Sequence, residues 1–222
     1  MEGRRLGKKF VASYSGGKDG AFAIYMAIRQ GMVPLALITT FNTDQNRSWF
    51  HGVPETVLET VAESIGVSLW LIKTSGDEYE TKFEETLRSA KEKGAEVCVF
   101  GDIDIADHIK WCTDRCVNAG LEAMFPLYGQ SRESIVNDFI NSGFTAFFTV
   151  IDTNRITGDF LGKHLTKEAL FEIKAQGADI CGENGEYHTF VTDGPIFKNP
   201  IEFTFGERII NNGRIILLIN AY

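Results

Sequence analysis

Tyr14-Ser15-Gly16-Gly17-Lys18-Asp19-Gly20 links an apolar run, Phe10 to Tyr14, to a segment with helical spacing, Gly20 to Gln30. A strand that ends in glycines and turns at once into a helix directs backbone N–H groups and the positive helix end at one point, where a phosphate is stabilised. The paired glycines let the backbone approach a ligand with no Cβ in the way. The spacing is not that of a Walker A loop, which has more residues between its glycines and ends in Lys-Ser or Lys-Thr, nor that of the dinucleotide fingerprint. A tight turn that needs glycine only for its own geometry is the plainer account. The flanking strand and helix and the intact Ser-Gly-Gly-Lys-Asp core favour phosphate.

Val33 to Thr40 reads as a second strand. Glu55 to Ile65 carries Val57, Leu58, Val61, Ala62 and Ile65 at helical spacing, with Pro54 suited to its first turn and Gly66 to its end. Leu69 to Ile72, Tyr79 to Lys93 and Val97 to Phe100 follow as strand, charged helix and strand. This βαβα alternation predicts a mainly parallel sheet covered by helices on both faces, with ligands at the carboxyl ends of its strands. After Pro126 the pattern changes. Ser131 to Asn141 and Leu165 to Ala175 read as helices around a strand, Phe144 to Ile151. Ile201 to Ile210 and Arg214 to Ile219 flank Asn211-Asn212-Gly213, a hairpin-type turn. The expected fold class is α/β: a parallel-sheet domain over residues 1–125, then a smaller α+β domain over 126–222, packed closely because no low-complexity linker divides them.

At 222 residues, with 44% hydrophobic and 23% charged residues, the composition is that of an ordinary globular chain. A net charge of -8 with no lysine or arginine block argues against a broad surface for the nucleic-acid backbone, so nucleic acid is a poor partner. Met1 to Lys9 is basic, but a strand-like run follows instead of the apolar core of a signal peptide, and no apolar stretch is long enough to cross a bilayer. A cytoplasmic protein with no membrane partner is expected. Cys98, Cys112, Cys116 and Cys181 are too few for a disulfide framework, which leaves free thiols, and they lack the paired spacing of a zinc site. A homodimer is compatible with the sequence, which specifies no oligomer.

Cys181-Gly182-Glu183-Asn184-Gly185-Glu186-Tyr187-His188-Thr189 sets two carboxylates, an imidazole, an amide and a hydroxyl in a glycine-punctuated turn. That is the composition of a binding loop, although polar loops are often only loops.

The first glycine loop matches the Ser-Gly-Gly-x-Asp-Ser pattern of PP-loop ATP pyrophosphatases, with Gly20 in place of the final serine. With Phe100-Gly101-Asp102-Ile103, Phe125-Pro126-Leu127-Tyr128-Gly129 and the run from Gly182 to Phe197, nearly the whole chain resembles the diphthine-ammonia ligase family. The resemblance implies a nucleotide-binding domain of the HUP type and a smaller domain that helps hold the acceptor. It also implies a reaction: a carboxylate attacks the α-phosphate of ATP, pyrophosphate leaves, and ammonia displaces AMP from the acyl-adenylate to give an amide. ATP and Mg²⁺ are the implied cofactors, and ATP or AMP, ammonia and an unidentified carboxylate acceptor the implied partners.

On this reading Ser15, Gly16, Gly17, Lys18, Asp19 and Gly20 bind the nucleotide, with Thr40, His51, Gly101 and Asp102 at or beyond the strand ends. Lys18 neutralises charge on the leaving pyrophosphate. Asp19 orients the loop or holds Mg²⁺. Glu183 and Glu186 attract ammonium, and one of them removes its proton. Gly182, Asn184, Tyr187, His188 and Thr189 complete the acceptor and ammonia side.

Where the diphthine-specific pattern has a Tyr-Gln and arginine-rich helix, this chain has Asp102-Ile103-Asp104-Ile105-Ala106-Asp107-His108-Ile109-Lys110-Trp111-Cys112. Those basic acceptor contacts are absent, so the acceptor is not taken to be diphthine on elongation factor 2. Asp104 and Asp107 read more simply as helix-start residues than as metal ligands. Two other classes compete. A sulfur-transferring nucleic-acid modifier is disfavoured by the negative charge and the lack of a Cys-x-x-Cys motif. A nucleotide-binding module without chemistry is motivated by Gly20.

Overall fold

The computed structural model describes residues 5–49 and 51–221, so Met1 to Arg4 of the basic N-terminal run lie outside the described residues. β1 (Lys9–Ser13) sits in the middle of a parallel sheet, between β2 (Val33–Asn42) and β5 (Val97–Val99). β3 (Arg47–Ser48) turns back antiparallel on the end of β2, while β4 (Ser68–Thr74) pairs parallel with β2 and β6 (Glu122–Met124) parallel with β5.

Side chains alternate along β1, as the period of two in a strand requires. Phe10 and Ala12 pack with α1 (Lys18–Arg29) and α2 (Glu55–Ile65), whereas Val11 packs with α3 (Tyr79–Glu92) and α4 (Ala106–Ala119). A strand covered on both faces must be apolar throughout, and this is why Phe10 to Tyr14 shows no polar alternation. In α2 the five apolar residues at helical spacing are the ones buried, and Gly66 ends the helix in the left-handed conformation with φ 86°. α1 begins at Lys18, two residues earlier than its spacing suggests, with Gly17 as a cap that supplies no side-chain hydrogen bond. Its first-turn N–H groups therefore need partners from outside the helix.

The second sheet is antiparallel in the order β8-β7-β10-β9, formed by β7 (Thr145–Asp152), β8 (Tyr187–Asp193), β9 (Phe203–Asn211) and β10 (Arg214–Ala221). Asn212 and Gly213 join β9 to β10 with φ 48° and 78°, the two positive values that a type I′ hairpin demands. α5 (Arg132–Asn141) is capped by Ser131, whose hydroxyl accepts from the Ser134 N–H at 3.1 Å, and α6 (Lys167–Ala175) by Thr166. One apolar core continues from the first sheet into the second. Phe22 of α1 meets Phe139 of α5 edge-on, with ring centroids 6.2 Å apart, and Phe139 stacks on Phe144 at 4.7 Å. Burying a side chain of this size contributes about 1.5–3 kcal/mol, so the two sheets are held together by packing as well as by the chain. Among the described residues no helix is long and apolar enough to cross a membrane.

Candidate functional site

A cavity of about 500 Å³ opens beyond the carboxyl ends of β1 and β5, walled by the glycine loop, the starts of α3 and α4, and the acidic loop before β8. Two close approaches fix the glycine loop. A Cβ on Gly101 would lie 2.7 Å from backbone atoms of Asp19 and Gly20, and a Cβ on Gly17 would lie 2.5 Å from His51 Nε2. The sequence therefore keeps glycine where the end of β5 and the loop before α2 press on the first turn of α1.

Lys18 is 5% exposed, and its Nζ donates to both Asp19 oxygens at 2.8 and 3.0 Å. Burial alone would pull this ammonium down, but Asp19, with smaller contributions from Cys181, Tyr187 and Glu183, holds it well above the ordinary lysine value. It is a permanent cation. Its backbone N–H donates to Thr189 Oγ1 at 3.1 Å, and its Nζ lies 5.6 Å from the centre of the Tyr187 ring, whose own hydroxyl donates to the Ile180 carbonyl at 2.6 Å.

Opposite the glycine loop stands Glu183. Burial first, and then the like charge of Asp19, push its carboxyl up to about 7, against the opposing pull of Lys18 and Arg132. A ligand atom from each of Asp19, Glu183 and Cys181 falls within 4.8 Å of the others. Burial pushes the Cys181 thiol up to about 12, so it stays protonated, a poor partner for a hard cation. Carboxylate oxygen from Asp19, beside the loop where phosphates would lie, does fit Mg²⁺.

His51 and His188 meet edge to face with ring centroids 4.9 Å apart. Burial, then the neighbouring imidazole and Lys18, take His51 well below the usual histidine range, and burial with Lys18 and Arg214 takes His188 down to about 4. Both rings are neutral near pH 7, and His51 Nδ1 is buried without a hydrogen-bond partner among the described residues. Asp102 also lines the cavity, its carboxyl raised by burial, with His108 Nδ1 3.6 Å away.

Most residues singled out from the sequence converge here: Ser15, Gly17, Lys18, Asp19, Gly20, His51, Gly101 and Asp102 on one side, Gly182, Glu183, Tyr187, His188 and Thr189 on the other. Four do not line the cavity. Gly16 turns its carbonyl to the Val191 N–H at 2.9 Å, and Thr40 is buried near the end of β2. Asn184 is an outer residue whose amide donates to Glu186 and accepts from Arg132. Glu186, expected to handle ammonia beside Glu183, is 2% exposed, and its oxygens accept from the N–H groups of Asp179 and Asn184 and from the Asn184 amide. Enclosed in this way, the carboxylate does not face the cavity.

Sequence reasoning missed two features. Tyr79 and Phe83 of α3 and Trp111 of α4 form an aromatic wall, with Trp111 5.6 and 5.3 Å from the other two rings. Their spacing on each helix marks only a buried face, and nothing local says that the faces meet at a cavity. Arg132 ties Asp104 to Asp179 across the rim. Its signal was an arginine at the first position of a helix, where the dipole disfavours a cation unless partners compensate.

Residues 8–123 match the family model described as Diphthamide synthase N-terminal domain, and residues 131–222 the one described as Diphthamide synthase C-terminal domain. The chain is 25% identical over 229 residues to a diphthine-ammonia ligase of Danio rerio, covering 92% of this chain and 89% of that one. It is 25% identical over 230 residues to the human diphthine-ammonia ligase, covering 92% and 86%. With the Schizosaccharomyces pombe diphthine-ammonia ligase the identity is 26% over 221 residues, covering 90% of this chain and 36% of that longer one. A solved chain from Methanocaldococcus jannaschii, described as a predicted subunit of tRNA methyltransferase, aligns with a TM-score of 0.47 at 14% identity over 87% of this chain and 100% of that one.

Proposed function

The chain belongs to the diphthamide synthase family, and from that premise we infer that it is an ATP-dependent ligase that joins ammonia to a carboxylate. One observation carries the residue assignment: Glu183, from the second half of the chain, faces the Lys18–Asp19 pair of the glycine loop across a single cavity.

The first turn of α1 and the Lys18 ammonium bind the β- and γ-phosphates and stabilise the charge that develops as the bond between the α- and β-phosphates breaks. The acceptor carboxylate oxygen forms the new bond to the α-phosphorus, and pyrophosphate departs. Asp19 would hold Mg²⁺, which supplies further neutralisation of the leaving group when bound. Glu183 faces the second step. A carboxyl poised near 7 attracts ammonium as its anion and takes one proton, leaving the lone pair of ammonia free to attack the acyl carbon. The bond from acyl carbon to AMP oxygen breaks, the added nitrogen gives up a second proton to solvent or to the departing AMP phosphate, and the amide and AMP result. His51 and His188, neutral and lining the cavity beside the glycine loop, position that loop without adding charge.

The acidic stretch from Asp102 to Asp107 stands where basic contacts to diphthine would be expected, which favours a different carboxylate as the acceptor. The test is to supply ATP, Mg²⁺, ammonium and a panel of carboxylates that includes diphthine on elongation factor 2, and to measure pyrophosphate and AMP. Release of both that depends on ammonium and on one acceptor is expected. Nucleotide binding with no pyrophosphate from any acceptor would overturn the ligase reading.

A further inference from the structure

We propose that Arg132 is a positioning residue for the ammonia step: its guanidinium clamps the loop after β5 to the acidic loop and thereby fixes Glu183 against Asp19. This rests on the ligase reading above. Arg132 does not line the cavity, yet it bonds residues of the two segments that carry lining residues, Asp104 beside Asp102 and Ile105, and Asp179 and Asn184 beside Gly182 and Glu183. Nε and Nη2 donate to the two Asp104 oxygens at 2.7 and 2.8 Å, and Nη1 donates to Asp179 Oδ2 at 2.6 Å and to Asn184 Oδ1 at 3.3 Å. Asp104 lies between the wall residues Asp102 and Ile105. Asp179 passes the constraint inward, since the same Oδ2 accepts from the Glu183 N–H at 3.2 Å while Oδ1 accepts from the Cys181 N–H at 2.9 Å.

The chain Asp104–Arg132–Asp179–Glu183 thus sets the backbone of the proposed base relative to the end of β5 through one rigid planar group. Five donors in a fixed fork can serve two carboxylates at once, which the single ammonium of lysine does poorly. An arginine at the start of α5, where the helix dipole opposes it, needs these partners to be tolerated there.

The experiment compares wild type, Arg132→Lys and Arg132→Met by hydrogen exchange across residues 179–186, by ATP affinity, and by the KM for ammonium with ATP saturating. In Arg132→Met, exchange in this segment should accelerate, and the KM for ammonium should rise on the order of 10- to 100-fold, the scale of a displaced catalytic group. ATP affinity should stay within about twofold, because uniform loss of binding is not expected from a residue outside the nucleotide side. Arg132→Lys should recover part of both effects. Faster exchange with an unchanged KM for ammonium overturns the positioning role, and unchanged exchange overturns the clamp. If Arg132→Met does not fold, Asp104→Asn, which keeps only one of the two acceptor oxygens, weakens one jaw and should move both readouts the same way by less. Should wild type form no amide with any acceptor, the ligase reading falls and the positioning role with it; exchange in Arg132→Met reports the clamp without turnover and separates the two failures.

Discussion

Thr189 Oγ1 accepts a hydrogen bond from the backbone N–H of Lys18 at 3.1 Å, between residues 171 positions apart in the chain. Two residues on, the Val191 N–H donates to the Gly16 carbonyl at 2.9 Å. The glycine loop of the parallel sheet is therefore shaped by a strand of the antiparallel one. This couples the two glycine motifs: β8 carries the second motif onto the back of the first, and the cavity exists only where they meet.

Thr189→Val keeps the shape of the buried side chain but leaves the Lys18 N–H without its acceptor. A buried donor left unpaired costs about 1–3 kcal/mol, so the melting temperature without nucleotide should fall, and Thr189→Ser should restore most of it. ATP offers phosphate oxygen to the same N–H, so its stabilising shift should be larger in Thr189→Val than in wild type. An equal or smaller shift would show that this N–H does not face the phosphates.

Gly101 and Gly20 make a contrasting pair. A Cβ on Gly101 would stand 2.7 Å from backbone atoms of Asp19 and Gly20, which cannot move without displacing the phosphate loop. Gly101→Ala should abolish measurable ATP binding and cost about 1–3 kcal/mol of stability through overpacking. A Cβ on Gly20 meets the Tyr14 ring edge at 3.1 Å and otherwise only ordinary contacts, the Ser13 carbonyl at 3.5 Å and Tyr14 Cα at 3.8 Å, so a shift of the ring by a few tenths of an ångström accommodates it. Gly20→Ser, which restores the usual loop residue, should fold and bind ATP at least as tightly as wild type. Calorimetric titration of both variants checks the pair.

The glycine loop was legible because its signal is local: strand, glycines and helix follow within a dozen residues. The hairpin at Asn212-Gly213 was legible for the same reason. β8 was harder to see because its first residues, Tyr187, His188 and Thr189, belong to the motif that reads as a turn, and the turn ends where the strand begins. β6 spans only Glu122–Met124, too few residues for a period to register. The roles of Glu183 and Glu186 could not be separated by spacing, since the two lie three residues apart and face opposite sides of one loop. Arg132 and the aromatic wall were invisible for a different reason. Their meaning lies in partners 28 and 47 residues away for Arg132, and in the approach of α3 to α4 for the rings.

Glu183 makes stability depend on pH in a defined window. Its carboxyl sits at about 7 in the fold against 4.5 when unperturbed, raised chiefly by burial. Between these values this carboxyl binds more protons in the folded state than in the unfolded one, so its own contribution to stability falls as pH rises from about 4.5 to about 7 and is level on either side, opposite in sign to the contributions of the depressed His51 and His188. Glu183→Gln is neutral throughout and should lack this contribution. The melting temperature of wild type minus that of the variant, without nucleotide, should become more negative across that window; a constant difference would contradict the burial of this carboxyl. Turnover should rise in wild type as pH passes about 7 and drop roughly 10²- to 10⁴-fold in the variant when the proton acceptor is lost.

Glu186→Gln tests the proposed division of roles between the two carboxylates, Glu186 shaping the loop and Glu183 taking the proton. The Glu186 oxygens accept from three donors, the Asp179 and Asn184 N–H groups at 3.4 and 3.1 Å and the Asn184 amide at 3.2 Å. Glutamine has one acceptor oxygen, and its NH₂ would be turned toward donors, leaving at least one buried N–H unpaired at about 1–3 kcal/mol. The variant should melt lower than wild type, bind ATP normally at the glycine loop, and show a raised KM for ammonium because the loop that carries Glu183 relaxes. Glu183→Gln, by contrast, should lose the ammonia step without a fall in melting temperature at pH 8, where wild type already bears the cost of a buried charge. If Glu186→Gln melts like wild type yet cannot use ammonia, then Glu186 acts on ammonia itself, and the assignment of the two carboxylates must be reversed.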